Sequence, residues 1–157
     1  MKPRVYLETT IVSYLTAWPS RDLVMAANQQ TTRDWWARHG EDCDLYTSDV
    51  VVQEATAGDP DAAQRRLQVL QDLTELAITE HSRALAKRLV EEVPLPRKAQ
   101  VDALHIAIAA VSGMDYLLTW NCTHIANAAL RHRIEAVCRA ADYEPPVICT
   151  PQELLES

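Results

Sequence analysis

Apolar positions along the chain alternate between short β-prone runs and longer stretches with helical spacing. Arg4–Leu7 reads as a first strand, and a helix follows near Thr10–Ala17. Arg21–His39 carries a long helical pattern, with Ser20 as its expected N-cap. Leu45–Thr47 is a short strand, and Ser48-Asp49 caps a helix through Ala57. Asp59-Pro60 opens a helix over Pro60–Leu73, with proline in the first turn, where its missing N–H leaves no bond unmade. Glu75–Ile78 is a third strand and Glu80–Glu92 a helix. Pro94-Leu-Pro96 then breaks the chain ahead of a helix reaching Val111, which Gly113 stops. Tyr116–Thr119 is a fourth strand, Thr123–Ala140 a helix and Pro146–Cys149 a last strand. Strands separated by helices predict a three-layer α/β/α sandwich on a mostly parallel central sheet of about five strands, with right-handed crossovers.

One helix breaks its own pattern. In the stretch from Lys98 to Val111, Lys98, Asp102 and His105 fall at i, i+4 and i+7 on one stripe. Val101, Leu104, Ile106, Ile108, Val111 and five alanines occupy the rest, so little solvent-facing surface remains. An uncompensated carboxylate there would cost several kcal/mol, in the range of about 2–7 kcal/mol that even a neutral polar group can cost. A metal ion or a water-filled cleft would compensate Asp102. The plainer alternative is a Lys98–Asp102 ion pair along the helix.

Composition narrows the field. The 157 residues suit one domain spanning 1–157, and 48% hydrophobic with 24% charged residues is ordinary for a soluble globular protein. No apolar run approaches the ~20 residues of a membrane span. The start, Met-Lys-Pro-Arg-Val-Tyr-Leu-Glu, lacks the apolar stretch of a signal peptide, so a cytoplasmic location is expected. Cys43, Cys122, Cys138 and Cys149 have no zinc spacing and read as reduced thiols. A net charge of −7 excludes a protein that coats nucleic acid through a basic surface, but not a nuclease, whose carboxylates would themselves make the chain acidic. Arg65-Arg66, Arg97-Lys98 and Arg131/Arg133 could meet phosphates, although solvated helix faces are the simpler reading. Three glycines are too few for a glycine-rich phosphate loop.

Sites in parallel sheets form beyond the carboxyl ends of the strands. Glu8 directly follows the first strand, and Asn121 lies two residues after the fourth. Glu54 interrupts the apolar run Val50-Val-Val-Gln-Glu54-Ala, and Asp102 sits early in its helix. Four oxygen-bearing side chains from separate segments could therefore meet at one sheet end. Oxygen ligands suit Mg²⁺ or Mn²⁺. The five histidines, His39, His81, His105, His124 and His132, share no zinc-ligand spacing.

These residues resemble the PIN domain, and the chain as a whole resembles the VapC-like toxins of type II toxin–antitoxin pairs. The likeness rests on Tyr6-Leu-Glu8-Thr-Thr10, Glu54-Ala55, Asp102-Ala-Leu-His105-Ile-Ala and Leu118-Thr119-Trp-Asn121, in matching order over residues 1 to about 150. The resemblance implies an α/β/α sandwich and Mg²⁺- or Mn²⁺-dependent endoribonuclease activity on RNA. It also implies a cognate antitoxin and a homodimer, for which Leu23, Val24, Ala27 and Trp35 would offer an apolar surface. Glu8, Glu54, Asp102 and Asn121 become the expected catalytic set, with Glu8 and Asp102 as metal ligands and Thr10, Lys98 and His105 in support.

Two departures qualify the expectation. Glu8 stands where the family usually has Asp, and Asn121 where it often has Asp. The three remaining acids would hold one ion tightly and a second only weakly. A catalytically weak PIN module that binds RNA or a protein partner is the alternative. Individual residues also have plainer readings: Asn121 as an Asx turn, Thr10 as a helix-start residue, His105 as a core histidine or a hydrogen-bond partner of a metal ligand. Trp18, Trp35 and Trp36 could stack on bases, but core or interface packing is the better reading. A receiver- or hydrolase-like use of the acids is disfavoured, because no lysine follows a late strand and no glycine-bearing nucleophile loop is present.

Overall fold

The structure, a computed structural model, describes residues 1–156. In chain order the elements are β1 (Arg4–Leu7), α1 (Thr9–Thr16), α2 (Leu23–His39), β2 (Asp44–Ser48), α3 (Asp49–Ala55), α4 (Pro60–Leu70) and β3 (Thr74–Leu76). They continue with α5 (Glu80–Glu92), α6 (Gln100–Val111), β4 (Tyr116–Leu118), α7 (Ala128–Ala140), β5 (Val147–Cys149) and α8 (Pro151–Leu155). The strands form one sheet in the order β3-β2-β1-β4-β5, and every pairing is parallel. The expected α/β/α architecture and five-stranded sheet are therefore what the chain adopts.

Period-two alternation along the central strands makes the layers. Tyr6, Leu117 and Ile148 point into one core with residues of α3, α5, α6 and α7. Val5, Leu7, Leu118 and Cys149 point into the other, against Ile11 of α1 and Trp35 of α2. Strands covered on both faces need almost unbroken apolar sequence, as Val5-Tyr-Leu7 and Leu117-Leu118 have. α6 is the most deeply set helix: Ala103 and every residue from His105 to Ala110 are buried.

Several expected boundaries move. Asp22, not Ser20, caps α2, accepting from the Met25 N–H at 2.8 Å, because its carboxylate also meets the positive end of the helix dipole. Ser20 Oγ instead accepts from Asp22 N–H. α7 starts at Ala128 rather than Thr123: the Asn121 carbonyl accepts from both Ile125 and Ala126, holding the intervening residues in turns until Asn127 caps the helix. Lys98 lies outside α6, in a tight 3-10 turn over Arg97–Ala99, so the stripe expected for Lys98, Asp102 and His105 loses its first member. β3 starts and ends earlier than Glu75–Ile78, α3 stops at Ala55 and α4 at Leu70. α8 has no counterpart in the sequence reading; a Thr150–Glu153 capping box and Pro151 start it. Trp35 is 1% exposed and belongs to the core, so the apolar surface expected from it does not include it. Arg66 is also occupied, donating to the carbonyls of Ala55 and Ala57 at the end of α3.

Candidate active site

The sheet grows from β1 toward β2 and β3 on one side and through β4 to β5 on the other, so its order reverses between β1 and β4. The crevice at such a point, beyond the carboxyl ends, is where parallel sheets place ligands. Glu8 stands in it. Its backbone N–H donates to the Leu118 carbonyl at 3.1 Å, tying the end of β1 to the end of β4. The side chain is among the most deeply set charged groups of the chain, at 3% exposure.

Two hydroxyls hold it. Thr10 Oγ1 donates to Glu8 Oε1 at 2.5 Å, and Thr119 Oγ1 donates to the same oxygen at 2.6 Å. Each threonine is aimed by a backbone amide: Trp120 N–H donates to Thr10 Oγ1 and Asn121 N–H to Thr119 Oγ1. Because those amides use the hydroxyls as acceptors, the hydroxyl protons are left to point at the carboxylate. Charge-assisted bonds of this kind are what makes an ionised carboxylate tolerable at such depth.

Glu54 follows the same plan from the neighbouring segment. Its Oε1 accepts from Thr9 Oγ1 at 2.5 Å and from His105 Nε2 at 2.7 Å. Burial alone would raise its pKa, but the hydrogen bonds from His105 and Thr9 hold it below the usual carboxylate range. His105 is fully buried and also reaches the Tyr6 hydroxyl through Nδ1, at 2.6 Å. It is thus both a core histidine and a partner of an acid. Glu8, Glu54 and His105 bring ligand atoms to within 4.8 Å of one another, and form the one such cluster among the described residues.

The other expected residues lie around this cluster rather than in it. Asp102 occupies the first turn of α6, with its Oδ2 2.8 Å from His124 Nδ1. Both side chains are largely covered, at 19% and 16% exposure. His124, not Lys98, is its partner, and Lys98 itself is exposed. Asn121 Oδ1 accepts from the His124 N–H, three residues on, at 3.1 Å, so Asn121 shapes the loop that carries His124. Sequence reading quoted Tyr6, Thr9 and Thr119 within the motifs and Ser48 as a helix cap, but gave none of these, nor His124, a partner in the site. The pattern Asn121-x-x-His124 after a strand was a legible turn signal, but which acid the histidine would face was not.

The donor set fits a hard divalent cation. Each clustered carboxylate is held through Oε1 alone, leaving Oε2 without a protein partner among the described residues. Both nitrogens of His105 are already in hydrogen bonds, so the lone pairs on offer are carboxylate oxygens, which suit Mg²⁺ or Mn²⁺.

The fold is similar to that of solved VapC structures. The VapBC2 complex from Rickettsia felis, crystallised with a DNA fragment from its promoter, matches at TM-score 0.60 and 13% identity, over 94% of this chain and 98% of that one. VapC20 from Mycobacterium tuberculosis, a toxin that cleaves the sarcin-ricin loop, matches at TM-score 0.59 and 16% identity, over 76% of this chain and 92% of that one. No family model and no curated protein matches the sequence. The likeness is one of fold.

Proposed function

We propose that the chain is a divalent-metal-dependent endoribonuclease, acting in the cytoplasm as the toxin of a type II toxin–antitoxin pair. The observation that carries this reading is the pair Glu8 and Glu54, each clamped by two donors on Oε1 with Oε2 left over, at the point where the strand order reverses. Structural proteins have little reason to pre-orient two acids side by side at this end of the sheet. The two structural neighbours, a toxin–antitoxin complex and an RNA-loop-cleaving toxin, support the same class of activity by fold analogy.

In this reading Glu8 and Asp102 would hold Mg²⁺ or Mn²⁺, with Glu54 as a further acid of the catalytic set and Asn121 in a supporting polar role. When bound, such an ion polarises a phosphoryl oxygen and makes its water a stronger nucleophile. Thr10 and Thr119 orient Glu8, Thr9 and His105 orient Glu54, and Lys98 lies in the exposed turn before α6, where an RNA phosphate could meet it. An antitoxin or a second copy of the chain would cover Trp18, Leu23 and Val24, which are 76%, 87% and 72% exposed. No described helix is long and apolar enough to cross a membrane.

The test is cleavage of a mixed RNA pool by the purified chain with Mn²⁺, Mg²⁺ or EDTA, beside Asp102→Asn. Metal-dependent cuts that vanish in the variant support the proposal. Equal cutting by both proteins sinks it. One observation favours a second reading, a PIN module that binds RNA or protein without turnover: Asp102 faces His124, and Asn121 is used by its own turn. RNA binding with no metal-stimulated cutting would select that reading.

A further inference from the structure

Beneath Glu54 runs a buried chain of hydrogen bonds that the proposed reaction does not by itself require. Val51 N–H donates to Ser48 Oγ at 3.3 Å, Ser48 Oγ lies 2.7 Å from Tyr6 Oη, and Tyr6 Oη lies 2.6 Å from His105 Nδ1. His105 Nε2 then meets Glu54. Ser48, Tyr6 and His105 are all 0% exposed. The chain crosses three elements, from the end of β2 through β1 to α6, and ends on an acid of the candidate site.

We infer that Tyr6 and Ser48 are positioning residues: they hold the His105 ring with Nδ1 bare of a proton and Nε2–H aimed at Glu54, so that this carboxylate is oriented through one oxygen.

Two ends of the chain have a fixed sense. A backbone N–H can only donate, so Ser48 Oγ accepts from Val51. An ionised carboxylate can only accept, so Nε2 carries a proton. Between these ends, two arrangements exist. With Nδ1 bare, Ser48 donates to Tyr6, Tyr6 donates to Nδ1, and each proton finds an acceptor. With a proton on Nδ1, Tyr6 must accept from it and donate to Ser48. The Ser48 proton then has no acceptor, because its oxygen has no partner besides Tyr6 and Val51 among the described residues. An orphaned donor at full burial is disfavoured, so the first arrangement wins. Burial pushes the Tyr6 hydroxyl well above the ordinary phenol range, which keeps it protonated and able to donate.

The arrangement also fixes ring orientation. A ring rotated by half a turn would exchange its carbon and nitrogen edges and lose both Tyr6 and Glu54. The tyrosine hydroxyl therefore acts on Glu54 from two residues away in space, in the way that outer hydrogen-bond partners orient ligating groups. The consequence for turnover rests on the nuclease reading; the placement of the proton does not.

The test is nitrogen-15 NMR of the His105 ring in the metal-free protein, for wild type and Tyr6→Phe, together with RNA-cleavage kinetics of both. Tyr6→Phe removes one oxygen and keeps the ring that fills the core. The expected wild-type result is a bare Nδ1 and a slowly exchanging Nε2–H. In Tyr6→Phe that proton exchanges at least about tenfold faster, and kcat falls by about 10-fold with KM for RNA unchanged, as for loss of an outer hydrogen-bond partner. A proton on Nδ1 in the wild type overturns the inference, as does Nε2–H exchange unaltered by Tyr6→Phe. A wild-type protein that cuts no RNA removes the nuclease reading alone, since the ring spectra still decide the inference.

Discussion

His124 Nδ1 lies 2.8 Å from Asp102 Oδ2, across 22 residues that include a helix end, a strand and a turn. This contact answers the question that α6 poses, how a carboxylate can stand in so apolar a helix. If Asp102 serves the metal-dependent reaction, His124 sets its direction. Asp102→Asn is expected to abolish metal-stimulated cleavage. His124→Ala should lower it by about 10–100-fold while retaining a folded protein, in line with loss of an outer partner. Steady-state cleavage of a defined RNA would check both, and a His124→Ala variant with wild-type turnover would falsify the coupling.

Glu8 depends on Thr119 in a way that stability can reveal. Thr119→Val keeps the shape but removes one of two donors to a buried carboxylate, and it also leaves Asn121 N–H without its acceptor. A loss of about 1.5–3 kcal/mol is expected, the range for hydrogen bonds to charged groups. Urea midpoints of the metal-free proteins measure it. No change in midpoint would mean that water replaces the threonine.

Acid should weaken the contribution of Glu54. Its pKa in the folded protein lies below the ordinary carboxylate value, so its share of stability is fully present above about pH 4.3 and is lost as pH falls through the lower native value. With 39% of the side chain exposed, the effect is screened and small. Comparing wild type with Glu54→Gln at pH 6 and pH 3, the stability difference should move against wild type on acidification. A difference that is constant, or moves the other way, contradicts the assignment.

The thiols should separate by depth. Burial pushes Cys138 up to about 11 and Cys149 up to about 12, so both stay neutral and poorly nucleophilic at pH 8. Cys122 is exposed in the loop beside Asn121. Alkylation followed by mass spectrometry should label Cys122 well before the two buried thiols in native protein, and all of them in urea. Early labelling of Cys149 would place the β5 end closer to solvent than the fold does.

Metal binding should show one strong event. Glu8, Glu54 and Asp102 supply three carboxylates, enough to neutralise one divalent ion with charge to spare but not two. Calorimetric titration with Mn²⁺ in the absence of RNA is expected to fit a single tight site. Two tight sites would show that Asn121 costs the chain less than its missing charge suggests.

Much of the architecture could be read from local pattern. β1 and β4 are short apolar runs between polar turns, and Pro60 and Asp59 mark the start of α4 as expected. The errors fall where two local signals compete. Ser20 and Asp22 both offer a cap; Asp22 takes the helix end while Ser20 Oγ accepts from the Asp22 N–H. Thr123–Ala126 has helix-compatible residues, yet the Asn121 carbonyl captures two of its amides first. Lys98 reads as part of a helical stripe until Pro96 and a tight turn remove it.

The candidate site divides the same way. Sequence alone determined that acids would stand at the ends of strands and inside apolar runs, because a charge in an apolar pattern is visible without coordinates of any kind. It also determined a parallel sheet, since its short strands are set apart by helices. Tertiary structure decided which acids meet and what holds them. Glu54 and His105 are 51 residues apart, Glu8 and Thr119 are 111 apart, and no periodicity encodes a distance of that length. Their contacts follow from strand order and register, which are properties of the whole packed sheet and exist only once it has formed.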